Sequence, residues 1–518
     1  MDFLGTQSSL CRSRLTRHIY IALLCLLAVS MTTSTFVANL AWVLLAANWI
    51  VEWNWKEKFA DFKENRLLHL CLLFFLLHCI GLLYSSNLEY GLNDIRKKLP
   101  LLVVPLVVLT SNPLSRKELW CVFGCYATTI FVVSIIGLVR YLTIPDLPYR
   151  EIVPFISHIR FALNVCFVFC LFAYFLMQKT PFSIGCFKST NLIETDQTCD
   201  GNGRKISKST IIISALMLWL LGFLLLLRSY TAFFVLFLLP ILFLCWKKAW
   251  LSWKGAAYLG VVVLMMLLVG GYARDYFGNC DRSGGVIENG SYIESDVSEL
   301  SLRSHWNEVS KMPIDDPTPN GYSVYPTLVR YLNSCGYPKD SSGIAMLSAE
   351  DVRNIENGMA NVVYANRLSL RSMCYVIFYE LECYRVSGSL GESSFLHRVE
   401  LWRNGWMVFL EHPLFGVGTG DAVDVCHARL DATDSQLAGT GKHTHNQYLS
   451  LLLAFGIVGC GLLLFFFVRA LCSHSFGFLF VLSLTIVLLS CLSEDTFETL
   501  AGCLFACIPC LFYHRNSE

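Results

Sequence analysis

Two histidines and two amide side chains lie at the start of a long apolar run. The segment KHTHNQYL covers residues 442–449, and the apolar run continues from Leu451 to Val468. His445 therefore lies at or just before the first turn of an apolar helix, where the positive end of the helix dipole disfavours an imidazolium. A neutral histidine there can accept a proton, as a general base must, and the same helix end attracts phosphate. We interpret His445 as a candidate general base; the alternative is a histidine that only caps the helix.

Arginines at the ends of predicted helices are candidates for binding an anion. Arg228 follows a leucine-rich run, and Arg160 opens another apolar run. Arg398 falls in the middle of the apolar side of an amphipathic helix predicted from Ser393 to Glu411, where an unpaired guanidinium is costly. Because guanidinium binds phosphate through two parallel hydrogen bonds, converging arginines favour a diphosphate ligand. Arg160 and Arg228 could instead be interfacial anchors, and Arg398 could snorkel to water or pair with a loop carboxylate.

Two further patterns suggest other chemistry. The segment GVGTGD at 416–421 is superficially similar to a dinucleotide-binding loop, but no strand precedes it. A turn that lets backbone approach a partner is the better interpretation. His443 and His445 could bind a metal with a nearby side chain such as Cys426, yet no ligand pair has the fixed spacing of a zinc site. We therefore expect no metal and no other cofactor.

Composition places these candidates in a membrane. The chain has 518 residues, of which 55% are hydrophobic and 15% charged, with a mean hydropathy of +0.52. Soluble globular chains have about 25% charged residues, and the apolar residues here form runs of about 20, the length that crosses a bilayer. We predict an all-α polytopic membrane protein. The net charge of +1 gives no reason to expect a nucleic-acid partner.

Apolar runs divide the chain into three predicted parts. Residues 1–272 contain nine spans, residues 273–442 form one large and mostly helical loop domain, and residues 443–518 contain three more spans. Within the loop, Ser348 with Asp351 resembles a helix capping box. The twelve predicted spans are 19–32, 35–51, 66–84, 99–110, 119–140, 158–177, 210–227, 231–246, 255–272, 446–468, 474–491 and 497–513.

The distribution of lysine and arginine predicts the orientation. The short loops on one side carry most of these residues, which places that side in the cytoplasm together with both termini, and the first span is interpreted as an uncleaved anchor. The 273–442 loop, the candidate histidine and the three arginines then lie on the opposite face. Glu494, Asp495 and Glu498 lie there too and are reserve candidates for acceptor binding. The stretch Arg96 to Lys98 is the main exception to the charge rule, interpreted as an amphipathic interfacial segment.

Three stretches, in this order, carry a family resemblance. They are Arg228-Ser229 after an apolar helix, RVELWRNGWMVFLEHPLFGVGTG at 398–420, and HNQYLSLLLAFGIVG at 445–459. Their order, their spacing and the large loop between spans nine and ten resemble the O-antigen ligase/polymerase superfamily of bacterial envelope glycan assembly. The resemblance implies a GT-C-like glycosyltransferase of the bacterial inner membrane with its active site on the periplasmic face.

The resemblance also implies roles for single residues. Arg228 and Arg398 would bind the diphosphate of the donor, and His445 would be the essential histidine. To these catalytic candidates we add four candidate substrate-binding residues, with Arg160 taken from the topology: Arg160, His443, Asn446 and Trp402.

The implied reaction transfers a glycan from undecaprenyl pyrophosphate to a hydroxyl group, without metal or nucleotide sugar. A single displacement predicts inversion of the anomeric centre, and the polyprenyl chain would lie between helices among membrane lipids. Lipid A-core is the first acceptor; a polysaccharide polymerase or a protein O-oligosaccharyltransferase of the same superfamily is the alternative. A glycolipid transporter or flippase belongs to another class, which the absence of a repeat between the two halves of the sequence disfavours.

Overall fold

The computed structural model describes ten stretches of the chain. They are residues 2–144, 147–178, 197–199, 205–246, 253–278, 285–288, 291–365, 369–391, 393–472 and 476–513. Positions 474–475 of the eleventh predicted span lie outside these residues. The chain forms two compact units, one consisting of Met1–Leu242 with Glu400–Glu518 and the other of Phe243–Val399. The domain boundaries at 272 and 442 remain predictions.

Helices dominate the first unit. Its 3-10 helices are Tyr149–Glu151, Thr496–Glu498 and Ile508–Phe512. A short antiparallel ribbon pairs β1 (Gln197–Cys199) with β2 (Lys205–Ser207), with Gln197 opposite Ser207. The α-helices, of which α10 and α17 cross the division between the units, are α1 Asp2–Ser30, α2 Thr35–Glu52, α3 Trp55–Glu64, α4 Arg66–Leu83, α5 Leu88–Lys98, α6 Pro100–Leu109, α7 Arg116–Thr143, α8 His158–Gln178, α9 Lys208–Leu227, α10 Tyr230–Trp246, α17 Ser394–Glu411, α18 Ala422–Ala432, α19 Gln447–Leu471, α20 Phe478–Ser490 and α21 Leu500–Ala506.

Many of these helices are apolar enough for a bilayer. Among the described residues, seven helices are long and apolar enough to cross a membrane: Thr35–Glu52, Arg66–Leu83, Arg116–Thr143, His158–Leu176, Lys208–Leu227, Ala256–Gly278 and Gln447–Leu471. Three shorter apolar helices lie at Tyr230–Leu242, Phe478–Ser490 and Leu500–Phe512. The prediction of an all-α polytopic membrane protein is confirmed. The fourth predicted span lies in α6, which has only 10 residues.

The core of the first unit is built around α8. In that helix 72% of the apolar stretch is buried, against 17% in α2. Helix α8 packs against α9 and α20, and Phe161 and Phe167 on it have no exposed surface. An apolar helix with large exposed apolar side chains suits contact with lipid, since lipid tails are as apolar as leucine. A central helix and lipid-facing outer helices are therefore expected in this unit.

The second unit contains one long apolar helix, Trp253–Gly278, and several shorter helices with a compact core. Arg330 binds Glu288 at 2.7 Å, and the hydroxyl of Tyr375 donates to the same carboxylate at 2.7 Å. The predicted capping box is confirmed, because Asp351 N donates to Ser348 Oγ at 3.2 Å and Ser348 N donates to Asp351 Oδ2 at 2.9 Å. The elements are α11 Trp253–Gly278, β3 Ile287–Glu288, β4 Ser291–Tyr292 (antiparallel to β3), α12 Glu299–Val309, α13 Val324–Cys335, α14 Ser341–Ala345, α15 Ala349–Glu356, 3-10 helix Val362–Ala365 and α16 Leu370–Ser387.

Candidate functional site

His445 lies in a strained turn at the start of α19. Its φ angle is +51°, a left-handed conformation that is uncommon for a residue with a side chain. The next residue, Asn446, is the N-cap of α19, and its side chain accepts a hydrogen bond from Leu449 N at 3.1 Å. Asn446 therefore caps the N-terminal end of α19. The left-handed conformation of His445 changes the direction of the chain just before the helix begins. Strain of this kind is frequent at functional sites.

The carboxylate of Asp495 organises this turn from a position 50 residues later in the sequence. It accepts His445 N at 2.7 Å and Asn446 N at 3.0 Å. The hydroxyls of Thr444 and Ser450 also donate to it, at 3.2 and 3.0 Å. Four donors from one segment therefore converge on a single buried carboxylate. Hydrogen bonds to a charged acceptor are the stronger kind, so Asp495 stabilises the left-handed turn.

The His445 side chain is partly exposed and lies near the Asp495 carboxylate. Its Nδ1 lies 3.9 Å from Asp495 Oδ2, and its side chain is 38% exposed while that of Asp495 is 7% exposed. At that distance the pair is not hydrogen bonded. A nearby carboxylate still stabilises an imidazolium once it forms, as happens when a general base takes a proton. The arrangement places an accessible imidazole beside a fixed carboxylate.

The loop that carries Asp495 comprises residues 491–499, between α20 and α21. Side chains and backbone of two other helices bind it. Arg160, in the first turn of α8, donates to the carbonyls of Asp495 at 2.8 Å and Thr496 at 3.1 Å. Gln447, in the first turn of α19, donates from its backbone N to Cys491 O at 2.9 Å. Its side chain Oε1 accepts the N–H of Phe497 at 2.7 Å. The structure thus brings Arg160 to the His445 site, where it binds loop backbone.

Arg228 occupies the turn between α9 and α10 and is also left-handed, with φ +49°. Thr231, three residues later, accepts a hydrogen bond from Ser493 Oγ at 3.2 Å. Because Ser493 lies in the loop that carries Asp495, the turn with Arg228 borders that loop. Two of the three predicted catalytic residues, Arg228 and His445, are therefore both in left-handed turns that border one loop.

The remaining predicted site residues have other surroundings. Arg398 belongs to the second unit, where its Nη1 donates to Ser394 O at 3.2 Å. The Trp402 indole packs against the apolar cluster that includes Leu449, and its buried Nε1 has no hydrogen-bond partner among the described residues. Buried donors of this kind are rare in proteins and are consistent with a ligand. His443 lines a cavity together with Thr444 and Ser450.

That cavity has a volume of about 40 Å³. Its polar lining includes Tyr90, Asp94, Lys98, Lys442, His443, Thr444, Ser450 and Glu498. Lys98 Nζ donates to Glu498 Oε2 at 2.8 Å and also to the Asp94 carboxylate. Burial and the neighbouring Glu498 charge raise the pKa of Asp94 to about 7, although Lys98 opposes the shift. This cluster was not predicted from the sequence; the spacing of Asp94 and Lys98, one helical turn apart, was the available signal.

The raised pKa of Asp94 predicts a specific dependence of stability on pH. Its ordinary pKa is 3.8, so the stability linked to protonated Asp94 is complete below about pH 4 and is lost as the pH rises through about 7. The Asp94→Asn variant cannot ionise at this position and does not lose this stability. Its melting temperature in detergent should therefore exceed that of wild type by a margin that grows as the pH rises from 5 to 8. Glu89→Gln, an exposed site on the same helix, is the control. Parallel melting curves for Asp94→Asn and wild type at every pH would contradict the assignment.

The glycine-rich segment 416–421 has a structural role. A Cβ added to Gly416, whose φ is +69°, would lie 2.4 Å from Leu453 O, and one added to Gly420 would lie 2.3 Å from Asn87 O. Asp421 accepts the N–H groups of Ser86 and Asn87 at 2.7 and 2.8 Å. The structure agrees with a turn that allows close backbone approach, here to α19 and to the loop after α4.

Thiol groups provide another possible ligand set. Among the described residues, one group of three His, Cys, Asp or Glu side chains has ligand atoms close enough for one metal ion, namely Cys25, Cys121 and Cys125 on α1 and α7. None of the three belongs to the turn around His445 or to the loop that carries Asp495.

The helices and the site define a class of protein. It is a polytopic membrane protein in which a buried carboxylate fixes an accessible histidine where a polar turn enters an apolar helix. Residues 215–466 match the protein family described as O-antigen ligase, and this region contains Arg228, Arg398 and His445. This match supports the O-antigen ligase-like superfamily. No curated protein has a significant match to the chain.

The family match also supports a general activity. The predicted superfamily is confirmed, and the match supports a membrane enzyme of the ligase and polymerase type. For the partners, the family suggests in general terms a lipid-linked glycan and a lipid acceptor.

Proposed function

We propose that this protein transfers a glycan from undecaprenyl pyrophosphate to a hydroxyl of lipid A-core at the periplasmic face of the bacterial inner membrane. The observation that carries the proposal is the His445 turn. Asp495 holds its backbone at 2.7 Å, the Arg228 turn borders the same loop through Thr231, and His445 and Arg228 both lie in the family-matched region. A base on one side of this loop and an arginine turn that borders the same loop suit a reaction that removes a hydroxyl proton and releases a diphosphate.

The reaction follows from these roles. The acceptor hydroxyl attacks the anomeric carbon, and His445 takes its proton as the new glycosidic bond forms. The bond between the anomeric carbon and the diphosphate oxygen breaks, and the charge left on undecaprenyl pyrophosphate is stabilised by Arg228 and Arg398. Attack opposite the leaving group inverts the anomeric centre. No step needs a metal ion or a nucleotide sugar.

The substrate-binding residues receive more specific roles in this proposal. Trp402 provides a buried indole N–H for the substrate, since that donor has no partner among the described residues. Asn446 contributes mainly by capping α19, and His443 lines the adjoining cavity. Arg160 positions the Asp495 loop through two carbonyls. Because Nη1 and Nη2 of Arg160 both donate to these carbonyls, only its remaining N–H groups are left to bind phosphate.

The proposed membrane arrangement has twelve spans, both termini in the cytoplasm and a GT-C-like fold. The seven long apolar helices and three shorter ones support a large span count. The charge distribution of the short loops supports the orientation. Membrane lipids and the polyprenyl chain of the donor would contact the exposed apolar faces of the helices.

A transfer assay with defined substrates tests the proposed function. Purified protein in detergent is given undecaprenyl-pyrophosphate-linked glycan and lipid A-core in the presence of a chelator. The expected product is glycan attached to lipid A-core. Lengthened lipid-linked glycan would identify a polymerase, and glycan on an added acceptor protein would identify an oligosaccharyltransferase. If no covalent transfer occurs while the lipid-linked glycan crosses a vesicle membrane, the protein is a transporter and the proposal is wrong.

Arg228→Lys is expected to lower kcat/KM by about thirtyfold, the equivalent of about 2 kcal/mol for lost charge-assisted hydrogen bonds. Lysine keeps the charge but cannot bind phosphate through a planar fork. Initial rates at varied donor concentration measure the effect. Arg150→Lys, at an exposed site in a 3-10 helix, is the matched control and should keep wild-type rates. Full activity in Arg228→Lys would leave Arg228 as an interfacial anchor.

A further inference from the structure

Three ionisable side chains lie together beside the His445 turn. Lys98 and Asp94 are 2% and 3% exposed, and Glu498 has an 18% exposed side chain. Lys98 Nζ contacts both carboxylates, with Glu498 Oε2 at 2.8 Å. A buried ammonium is costly without partners, and so is a buried carboxylate. The three groups therefore depend on one another for their buried positions.

A continuous set of hydrogen bonds leads from this cluster to the turn. Glu498 Oε1 accepts from Gln447 Nε2 at 3.2 Å, and Gln447 Oε1 accepts from Phe497 N at 2.7 Å. The Gln447 side chain, 1% exposed, thus joins α19 to the loop that carries Asp495. Because Asp495 in turn fixes the N–H groups of His445 and Asn446, the cluster determines where the loop lies against α19.

We propose that Lys98 and Glu498 are positioning residues for His445, acting through Gln447 and the Asp495 loop. The proposal rests on the proposed function, because it assigns these residues to the reaction that His445 performs. Neither side chain is assigned a contact with substrate.

The cluster also contains its own control. Asp94 contacts Lys98 and also interacts with Glu498, but the hydrogen bond from Gln447 goes to Glu498 Oε1 and not to Asp94. Asp94→Asn keeps an oxygen for Lys98 and leaves the Lys98–Glu498 pair intact. Glu498→Gln removes the charge that holds Lys98 against the loop. Lys98→Met leaves Glu498 buried without its cation, so that this carboxyl must take a proton or turn toward water and release Gln447.

The test compares Lys98→Met, Glu498→Gln, their double variant and Asp94→Asn with wild type. Lys98→Met and Glu498→Gln are expected to lower kcat by about thirtyfold with little change in KM, because a small displacement of a reacting group costs rate rather than binding. The double variant should be no slower than the slower single variant, since both act through one path. Asp94→Asn should stay within about threefold of wild type. A structural role alone would not separate kcat from KM in this way.

A second readout is independent of transfer. Diethyl pyrocarbonate modifies accessible neutral imidazoles, and peptide mass spectrometry gives its rate at His445. This rate should change in Lys98→Met and Glu498→Gln and stay at the wild-type value in Asp94→Asn. If Lys98→Met does not fold, Glu498→Gln, which leaves no unpaired buried charge on the loop, provides the comparison.

The outcomes separate the two proposals. Wild type without transferase activity, but with the expected pattern of His445 modification, would overturn the proposed function and keep the positioning role. Active wild type with unchanged kcat and unchanged His445 modification in both variants would overturn the positioning role alone. Equal losses in Asp94→Asn would also overturn it, because the effect would then come from the buried charges and not from the path through Gln447.

Discussion

His445→Asn is expected to lower kcat for glycan transfer on the order of a thousandfold, the usual contribution of a general base. Asparagine is chosen because it tolerates the left-handed conformation at this position, so the turn is retained while the proton acceptor is lost. KM for the lipid-linked donor should change little. The measurement is the initial rate of transfer to lipid A-core with purified protein and saturating donor.

The same substitution separates the two interpretations of this histidine. If His445 only completes the helix start, asparagine should replace it with little loss of rate, because asparagine is a good capping residue. His412→Ala is the control for loss of an imidazole, since His412 is exposed near the end of α17. Wild-type kcat in His445→Asn would exclude the histidine as the base.

Asp495→Asn is expected to lower kcat on the order of a hundredfold, because misplacing a catalytic group by about 1 Å costs that much. The carboxylate accepts two backbone N–H groups, one on each oxygen. An amide offers one oxygen, so its NH₂ group must face one of those N–H groups. The turn of His445 would then shift, and the negative charge beside the imidazole would be lost as well.

The neighbouring carboxylate provides the comparison for Asp495. Glu494 is buried to a similar degree, with 7% exposure against 5%, and the change to glutamine removes the same charge. Glu494→Gln should keep kcat within about threefold of wild type. Kinetics of both variants would be measured beside their melting temperatures. Equal losses in the two variants would show that buried charge in this loop, and not the bonds to the His445 turn, supports activity.

Local sequence patterns predicted the helices well. The predicted span at 35–51 corresponds to α2 at Thr35–Glu52, and the capping box at Ser348 forms as expected. Both depend on residues within a few positions of each other, which propensity and periodicity describe. The same kind of pattern placed His445 at the start of α19.

Interactions between distant segments could not be predicted in this way. Asp495 was only a reserve candidate for acceptor binding, because nothing in a single sequence pairs it with a turn 50 residues earlier. Lys98 belonged to the exception in the charge rule, yet it is 2% exposed and bound to Glu498. A lysine that is buried in an ion pair gives no information on which side of the membrane its loop lies. Lys98 should therefore not be counted among the basic residues that depart from the charge rule.

The break in α19 at Gly456 links that helix to the segment before α18. At the break φ is +62°, and the N–H groups of Ile457 and Val458 donate to the carbonyls of Pro413 and Leu414 at 2.8 and 3.1 Å. In exchange, the N–H groups of Val417 and Gly418 donate to Leu453 O and Ala454 O, at 2.8 and 3.1 Å.

This exchange has a consequence for how the site assembles. Unpaired backbone groups are too costly to leave in a bilayer, so α19 can bend only while the 413–418 segment supplies the missing partners. Without that segment the helix would have to straighten and recover its own bonds. The bend of α19, whose first residues follow His445, and the docking of the preceding polypeptide therefore form a single cooperative step in folding.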